Sequence, residues 1–236
     1  MFNWFDHTWS HYQPHILNYS TLKEQMYYNF NFALKHSLKT DSFYSVSPHH
    51  SGIYPIYESL YKLWKDVWLI KATSTEGYPH LRPYYLRKGF VHDGIMVVPR
   101  STCGIFTHTT HFSSYPNGIG RLASMLNGGE VFKTVLYNRV LVYMTHMTNY
   151  GNDRLALYVF RNLFSFLNKW TNLEFQALPP VKLAEKYFEL YPNDREPLWT
   201  NVCEDKRHLS IWSLNETNCD KFPKLIILGP QKTGNA

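Results

Sequence analysis

RVLVYMTHMTNYGNDRLALYVFRNLFSFLNKW, residues 139–170, changes its period halfway along. Its first eight residues, RVLVYMTH, are β-branched and aromatic and predict a strand. From Leu155 onward the apolar positions recur at helical spacing, which predicts a long amphipathic helix capped at Asn152 or Asp153. The alternation continues on both sides. GIGRLASMLNGG, residues 118–129, predicts a helix closed by Gly128 and Gly129. NLEFQAL and then PPVKLAEKYFELY predict a further strand and a helix with proline in its first turn. Strand and helix in alternation argue for an α/β fold with parallel strands and crossover helices. Active sites of such folds collect at the carboxyl ends of the strands, where His146, the last residue of RVLVYMTH, is expected to stand.

Toward the N-terminus, apolar residues from Leu22 to Leu34 repeat at helical spacing, with Thr21 placed as cap and Glu24 three positions later. FYSVS, residues 43–47, alternates like a strand until SPHHSGIYP breaks it. Residues 57–68 read as a helix, and VHDGIMVVP and CGIFTHT as two short strands around Pro99. Residues 192–223 turn polar and irregular, as a linker or stapled loop would. KLIILGPQKTGNA then starts afresh as a strand and a Gly-rich turn.

The chain has 236 residues, 44% hydrophobic and 18% charged, so it can bury a substantial core and lacks the composition of a disordered protein. A formal charge of +6 suits a polyanionic partner, but the basic residues are scattered and form no nucleic-acid tail. The most apolar helical window, LALYVFRNLFSFL, is shorter than the ~20 residues a bilayer span needs, and no signal peptide or anchor is read. Two sequons, at Asn18 and Asn215, would carry glycans in a secretory compartment. Cys203 and Cys219 flank a polar stretch, and a bridge between them would stabilise by roughly 3 kcal/mol. Cys103 lies in an apolar context and reads as a buried free thiol, while reduced core or loop cysteine is the alternative for all three.

Three groups of residues can carry chemistry. In SHYQPH, residues 10–15, a helix begun at Ser10 would place His11 and His15 on one face with Pro14 in the first turn, so that both imidazoles converge on one divalent ion. His7 and Asp6 stand close enough in sequence to contribute. His146, near the pKa of a free imidazole, can donate a proton to a leaving amine, and His49 and His50 could line the same cleft. LGPQKTG lacks the spacing of a Walker loop but offers backbone amides and an ammonium to a phosphate.

WSHYQPH, SPHHSGIYP, KATSTEGYPHLRP, GIMVVPRSTCGIFTHT, YMTHMTNYGNDRLALY, LPPVKLAEKYF, CEDKRH and FPKLIILGPQKTG, taken in order, resemble the heparan sulfate N-deacetylase/N-sulfotransferase family over nearly the whole chain. The resemblance implies a bifunctional Golgi-lumen enzyme of type II membrane topology, its anchor absent from this chain. One domain removes acetyl from N-acetylglucosamine in heparan sulfate precursor; the other transfers sulfate to the freed amine from 3′-phosphoadenylyl sulfate (PAPS). It implies a partial, distorted (β/α) barrel of polysaccharide-deacetylase type at residues 1–191, a linker at 192–223 and the start of an α/β sulfotransferase domain at 224–236. The metal pair of that deacetylase type looks like His11 and His15, with Tyr12 where the family motif has Ser or Thr. Its late acid looks like His146, with Met144 in place of Leu.

The family's Asp-Asp motif, holding a third ligand and the base, is expected upstream of Met1, so little deacetylation is expected of this chain. Gly229, Gln231, Lys232, Thr233 and Gly234 look like the loop that cradles the 5′-phosphosulfate end of PAPS. Asn235 and Ala236 replace the family's Thr-Thr, and no sulfotransferase activity is expected. A Golgi lumen would permit the Cys203–Cys219 bridge and glycans at Asn18 and Asn215. The basic excess then fits an acidic glycan better than nucleic acid. The alternative function is a non-catalytic heparan-sulfate-binding module.

Overall fold

β3, Ile95–Pro99, is the strand around which the N-terminal half is arranged. The computed structural model describes residues 4–40, 43–76 and 87–195. β1, Ala72–Thr75, runs parallel to β3 with Thr75 opposite Pro99, and β2, Phe90–His92, runs antiparallel to it. The β2–β3 hairpin closes on Asp93 and Gly94, both at positive φ (47° and 78°). That is the conformation for which Asp-Gly is the preferred two-residue loop.

Side chains alternate across β3. Ile95 and Val97 join Phe90 in a core with Leu22 and Met26 of α1 (Tyr19–Lys35) and Leu60, Tyr61, Leu63 and Trp64 of α2 (Glu58–Asp66). Val98 and Met96 face the other way, where Ala72 meets Ala184, Tyr187 and Phe188 of α6 (Pro180–Leu190). Helices therefore cover both faces of the three-stranded sheet.

Gly89, just ahead of β2, is where α6 comes closest. Its N–H donates to the Tyr187 hydroxyl at 2.7 Å. A Cβ there would lie 2.6 Å from Tyr187 Cε1 and 2.7 Å from the Val97 carbonyl oxygen. We expect Gly89→Ala to cost about 1–3 kcal/mol in urea unfolding, because the backbone oxygen cannot give way; a change below ~0.5 kcal/mol would rule out that packing constraint.

Beyond β3 the chain passes through Arg100 into β4, Ser101–Thr102, which pairs in parallel with β5, Tyr143–Met144. A second core packs behind this pair. Leu122 and Leu126 of α3 (Gly118–Leu126), Val131 and Val135 of α4 (Glu130–Tyr137), and Leu155, Val159, Leu163 and Leu167 of α5 (Leu155–Trp170) enclose Cys103, whose thiol is free and fully buried.

The mixed α/β class holds, and local predictions are corrected at several points. The strand predicted over residues 139–146 shortens to Tyr143–Met144, because its partner β4 is two residues long and gives way to a turn at Gly104 (φ +82°). Residues 43–47 form no strand beyond a bridge from Tyr44 to Ala72, and neither CGIFTHT nor NLEFQAL forms one. In NLEFQAL, Phe175 packs edge-on to Phe164 of α5 instead.

The cap of α1 is Asn18, whose Oδ1 accepts the Thr21 N–H at 2.9 Å, so Thr21 is the third helical residue. α5 starts after Arg154 in a left-handed conformation, and the Asp153 carboxylate instead accepts the Phe112 N–H at 2.7 Å. α4 was not predicted. No described helix is long and apolar enough to cross a membrane. Cys203, Cys219, Asn215, the strand at 224–228 and the turn with Gly229, Gln231, Lys232, Thr233 and Gly234 lie outside the described residues.

Candidate active site

Charged and imidazole side chains gather where the parallel strands end. Glu76 follows β1, Arg100 follows β3, and His146 lies two residues past β5. The Arg100 N–H donates to the Thr75 carbonyl at 2.8 Å, which sets the Glu76 and Arg100 side chains beside one another. His50 completes this group. Its Nε2 lies 2.7 Å from Glu76 Oε1, and Arg100 Nη2 lies 2.6 Å from its Nδ1. A guanidinium only donates, so Nδ1 is the acceptor and Nε2 carries the proton given to Glu76.

Burial alone would raise the Glu76 carboxyl, but the hydrogen bond from His50, with the guanidinium charges of Arg100 and Arg87, outweighs it and holds the group below the ordinary value. Arg87 adds a second tie, donating from Nη1 to the Arg100 carbonyl at 2.9 Å.

The N-terminal histidines approach from the other side, and not on a helix. Gln13 precedes proline, which disfavours helical backbone, and it is extended at ψ 121°. His11 adopts φ 56°, closing a turn in which its N–H donates to the Thr8 carbonyl at 3.0 Å. The Ser10 N–H goes to Gln25 Oε1 of α1 at 2.9 Å, so Ser10 caps nothing. The four-residue spacing of His11 and His15 therefore does not put them on one helical face. A turn and a short 3-10 helix, Pro14–Ile16, carry them to the segment 46–51 instead.

All three N-terminal histidines touch that segment. His7 Nδ1 lies 2.6 Å from the Val46 carbonyl oxygen. The His11 ring packs edge-on between His7, with centroids 4.9 Å apart, and His49, 5.1 Å away. His15 Nδ1 bonds Ser51 Oγ. Burial favours the neutral form of His7 and of His15. For His7 the charges of His11, Arg100 and His49 act the same way, while the bond to Val46 opposes them.

His146 belongs to the same electrostatic neighbourhood. Burial lowers its pKa first, Arg100, His108 and His11 lower it further, and Glu76 pulls it up. Its backbone is pinned by the fully buried Asn149, which accepts the His146 N–H at 2.9 Å and donates to the Phe106 carbonyl at 2.9 Å. The ring Nε2 is 3.4 Å from Thr107 Oγ1.

Neutral imidazoles are suitable donors for zinc or a similar divalent ion. Among the described residues, however, no group of three or more His, Cys, Asp or Glu is arranged to hold one. Glu76 and Arg100 were missed in the sequence; each directly follows a strand-like run, KATST and IMVVP, and that position was the available signal.

An α/β protein with histidines, a carboxylate and guanidinium groups at the carboxyl ends of its parallel strands falls in the class whose chemistry sits at strand ends. The model of the heparan sulfate-N-deacetylase deacetylase domain matches residues 1–132. The chain is 58% identical over 234 residues to bifunctional heparan sulfate N-deacetylase/N-sulfotransferase 1 of Xenopus tropicalis, covering 99% of this chain and 26% of that protein. Human bifunctional heparan sulfate N-deacetylase/N-sulfotransferase 2 gives 58% identity with the same coverage, and human bifunctional heparan sulfate N-deacetylase/N-sulfotransferase 3 gives 56%, with 27% of its length covered. This chain belongs to the heparan sulfate N-deacetylase/N-sulfotransferase family and spans about a quarter of the length of these relatives.

Proposed function

We propose that residues 1–191 form part of an N-deacetylase site, in a partial and distorted (β/α) barrel, that acts on the acetamide of N-acetylglucosamine in heparan sulfate precursor. Residues 192–223 would then be a linker and 224–236 the start of a sulfotransferase domain that takes PAPS. What supports the site reading is that imidazoles from the two ends of the first 150 residues share one electrostatic field, His11 acting on His146 beside Glu76 and Arg100.

In this reading His11 and His15 hold a divalent ion, zinc or similar. Such an ion, when bound, polarises the acetyl carbonyl and acidifies water. As a water oxygen bonds to the acetyl carbon it gives up a proton; His146, favoured neutral at rest, takes up a proton and passes it to the departing amine nitrogen as the C–N bond breaks, so that acetate and the free amine result. Asn18 fits a lumenal, glycosylated protein: it is exposed, and its cap uses Oδ1, leaving Nδ2 for a glycan.

Zinc titration of the purified 236-residue chain tests the assignment. His11→Ala/His15→Ala is expected to lower zinc affinity by more than the about 10–100-fold that losing an outer hydrogen-bond partner of a ligand costs. Equal affinity of both proteins would remove the metal from the reading. Binding of an N-acetylated heparosan oligosaccharide should strengthen with zinc and weaken in His146→Ala. Binding indifferent to zinc and to all three histidines would instead identify a non-catalytic glycan-binding module, which the net charge of +6 would also serve.

A further inference from the structure

Segment 46–51 is built in a way its sequence does not explain. His49 and His50 both adopt left-handed backbone, at φ 53° and 60°, a conformation that costs a histidine free energy and persists only where the surroundings impose it. The segment closes on itself as well: Ser47 Oγ donates to the Ser51 carbonyl at 2.5 Å and the Ser51 N–H to the Pro48 carbonyl at 3.0 Å. Its outward groups then meet the N-terminal histidines one by one, Val46 at His7, His49 at His11 and Ser51 at His15. His50 instead reaches Glu76 and Arg100 at the ends of β1 and β3.

We propose that segment 46–51 is an orienting strap for the N-terminal histidines and that Glu76 and Arg100 are positioning residues, clamping the strap to the sheet through His50. This deepens the deacetylase reading and rests on it for the use to which the histidines are put. The physical content is the tautomer. A backbone carbonyl only accepts, so Val46 holds the proton of His7 on Nδ1 and leaves Nε2 with its lone pair. Ligating histidines are commonly oriented through a bond from the other ring nitrogen to a carboxylate, carbonyl or water; for His15 the Ser51 hydroxyl takes that place, and His7 fixes the ring on which His11 packs. The left-handed turn at His49 and His50 is what lets one short segment send His49 toward His11 and His50 toward Glu76. The bonds within the segment close it, and the clamp is what ties the strained turn to the sheet; once it is cut the turn relaxes and the outward contacts loosen.

Long-range 1H–15N spectra of the metal-free 236-residue chain test the strap independently of any metal. Wild type should show His7 fixed with the proton on Nδ1. Glu76→Ala should lose that signature and shift His15 while remaining folded by circular dichroism. Glu76→Gln, which still accepts from His50 Nε2, should restore both. Ser51→Ala, which keeps the clamp, should shift His15 and leave His7 alone. A folded Glu76→Ala chain with the wild-type spectrum of both rings would overturn the proposal, and so would a Ser51→Ala chain with His15 unmoved. Zinc titration of the same proteins keeps the two readings apart. If wild type binds no zinc but Glu76→Ala still releases the His7 tautomer, the metal assignment fails and the strap stands. If wild type binds zinc and Glu76→Ala binds it equally well, the strap fails and the metal assignment stands.

Discussion

Trp64→Ala is expected to lower the free energy of unfolding by about 3–5 kcal/mol, the usual cost of emptying a large aromatic site in a core. Trp64 is 1% exposed and packs edge-on to Tyr61 with centroids 5.7 Å apart, in the cluster where α1 and α2 cover one face of the three-stranded sheet. The neighbours cannot easily close over the void. Tyr61 is tied by its hydroxyl to the Ile53 carbonyl at 2.8 Å, and Trp68 donates from Nε1 to the Met26 carbonyl at 3.1 Å. Against a typical native stability of ~5–15 kcal/mol, such a loss leaves a large share of molecules unfolded at modest urea concentrations.

The effect should reach the candidate site, because this core supports β1 and β3, whose ends carry Glu76 and Arg100. Urea unfolding followed by far-ultraviolet circular dichroism gives the number. A loss below ~1 kcal/mol would mean that the α1–α2 core is not what holds the sheet.

How much of this was legible in the sequence depends on whether a residue's place was set locally. α2, α5 and α6 were readable because their apolar spacing and, in α6, the leading proline are properties of the segment itself. Position at a strand end was readable for His146 for the same reason. The arrangement of His11 and His15 was not. Their spacing satisfies a helical template, but the residue before Pro14 is excluded from helical backbone, and that local rule decides against the longer-range pattern.

The short strands failed for a different reason. Residues 139–146 have every β-favouring feature, yet a strand extends only as far as its partner, and β4 is set by a glycine turn more than thirty residues away. Glu76 and Arg100 lay in plain view as charges after strand-like runs. What gives them meaning is His50, which reaches both through a left-handed turn; histidine enters that region more readily than most residues, but nothing local required two in succession to do so.

Stability should also fall steeply on the alkaline side, beginning near pH 9. Burial pushes the Cys103 thiol up from 9.0 to about 11. Between those values the unfolded chain loses its thiol proton while the native chain keeps it, so the native state binds more protons and stability declines as pH rises. Two pH units correspond to roughly 3 kcal/mol from this one group. Tyr44, Tyr61, Tyr115, Tyr143 and Tyr187 are all raised by burial and act with the same sign above pH 10.

The acid side has the opposite slope. His7, His15 and His146 are lowered, so below about pH 6.5 the unfolded chain takes up protons first and stability falls with pH. Glu76, also lowered, continues the fall below its ordinary value of 4.5. Asp6, raised by burial, opposes it there. Urea midpoints should therefore form a plateau between about pH 7 and 9 with shoulders falling on both sides. Cys103→Ala should flatten the alkaline shoulder between about pH 9 and 10, below the range where the tyrosines act, and make it shallower above that, while leaving the acid one unchanged, whatever the substitution costs overall. A wild-type midpoint that stays level to pH 11, or a Cys103→Ala chain that falls as steeply as wild type over that range, would show that the thiol behind β4 is not buried as described.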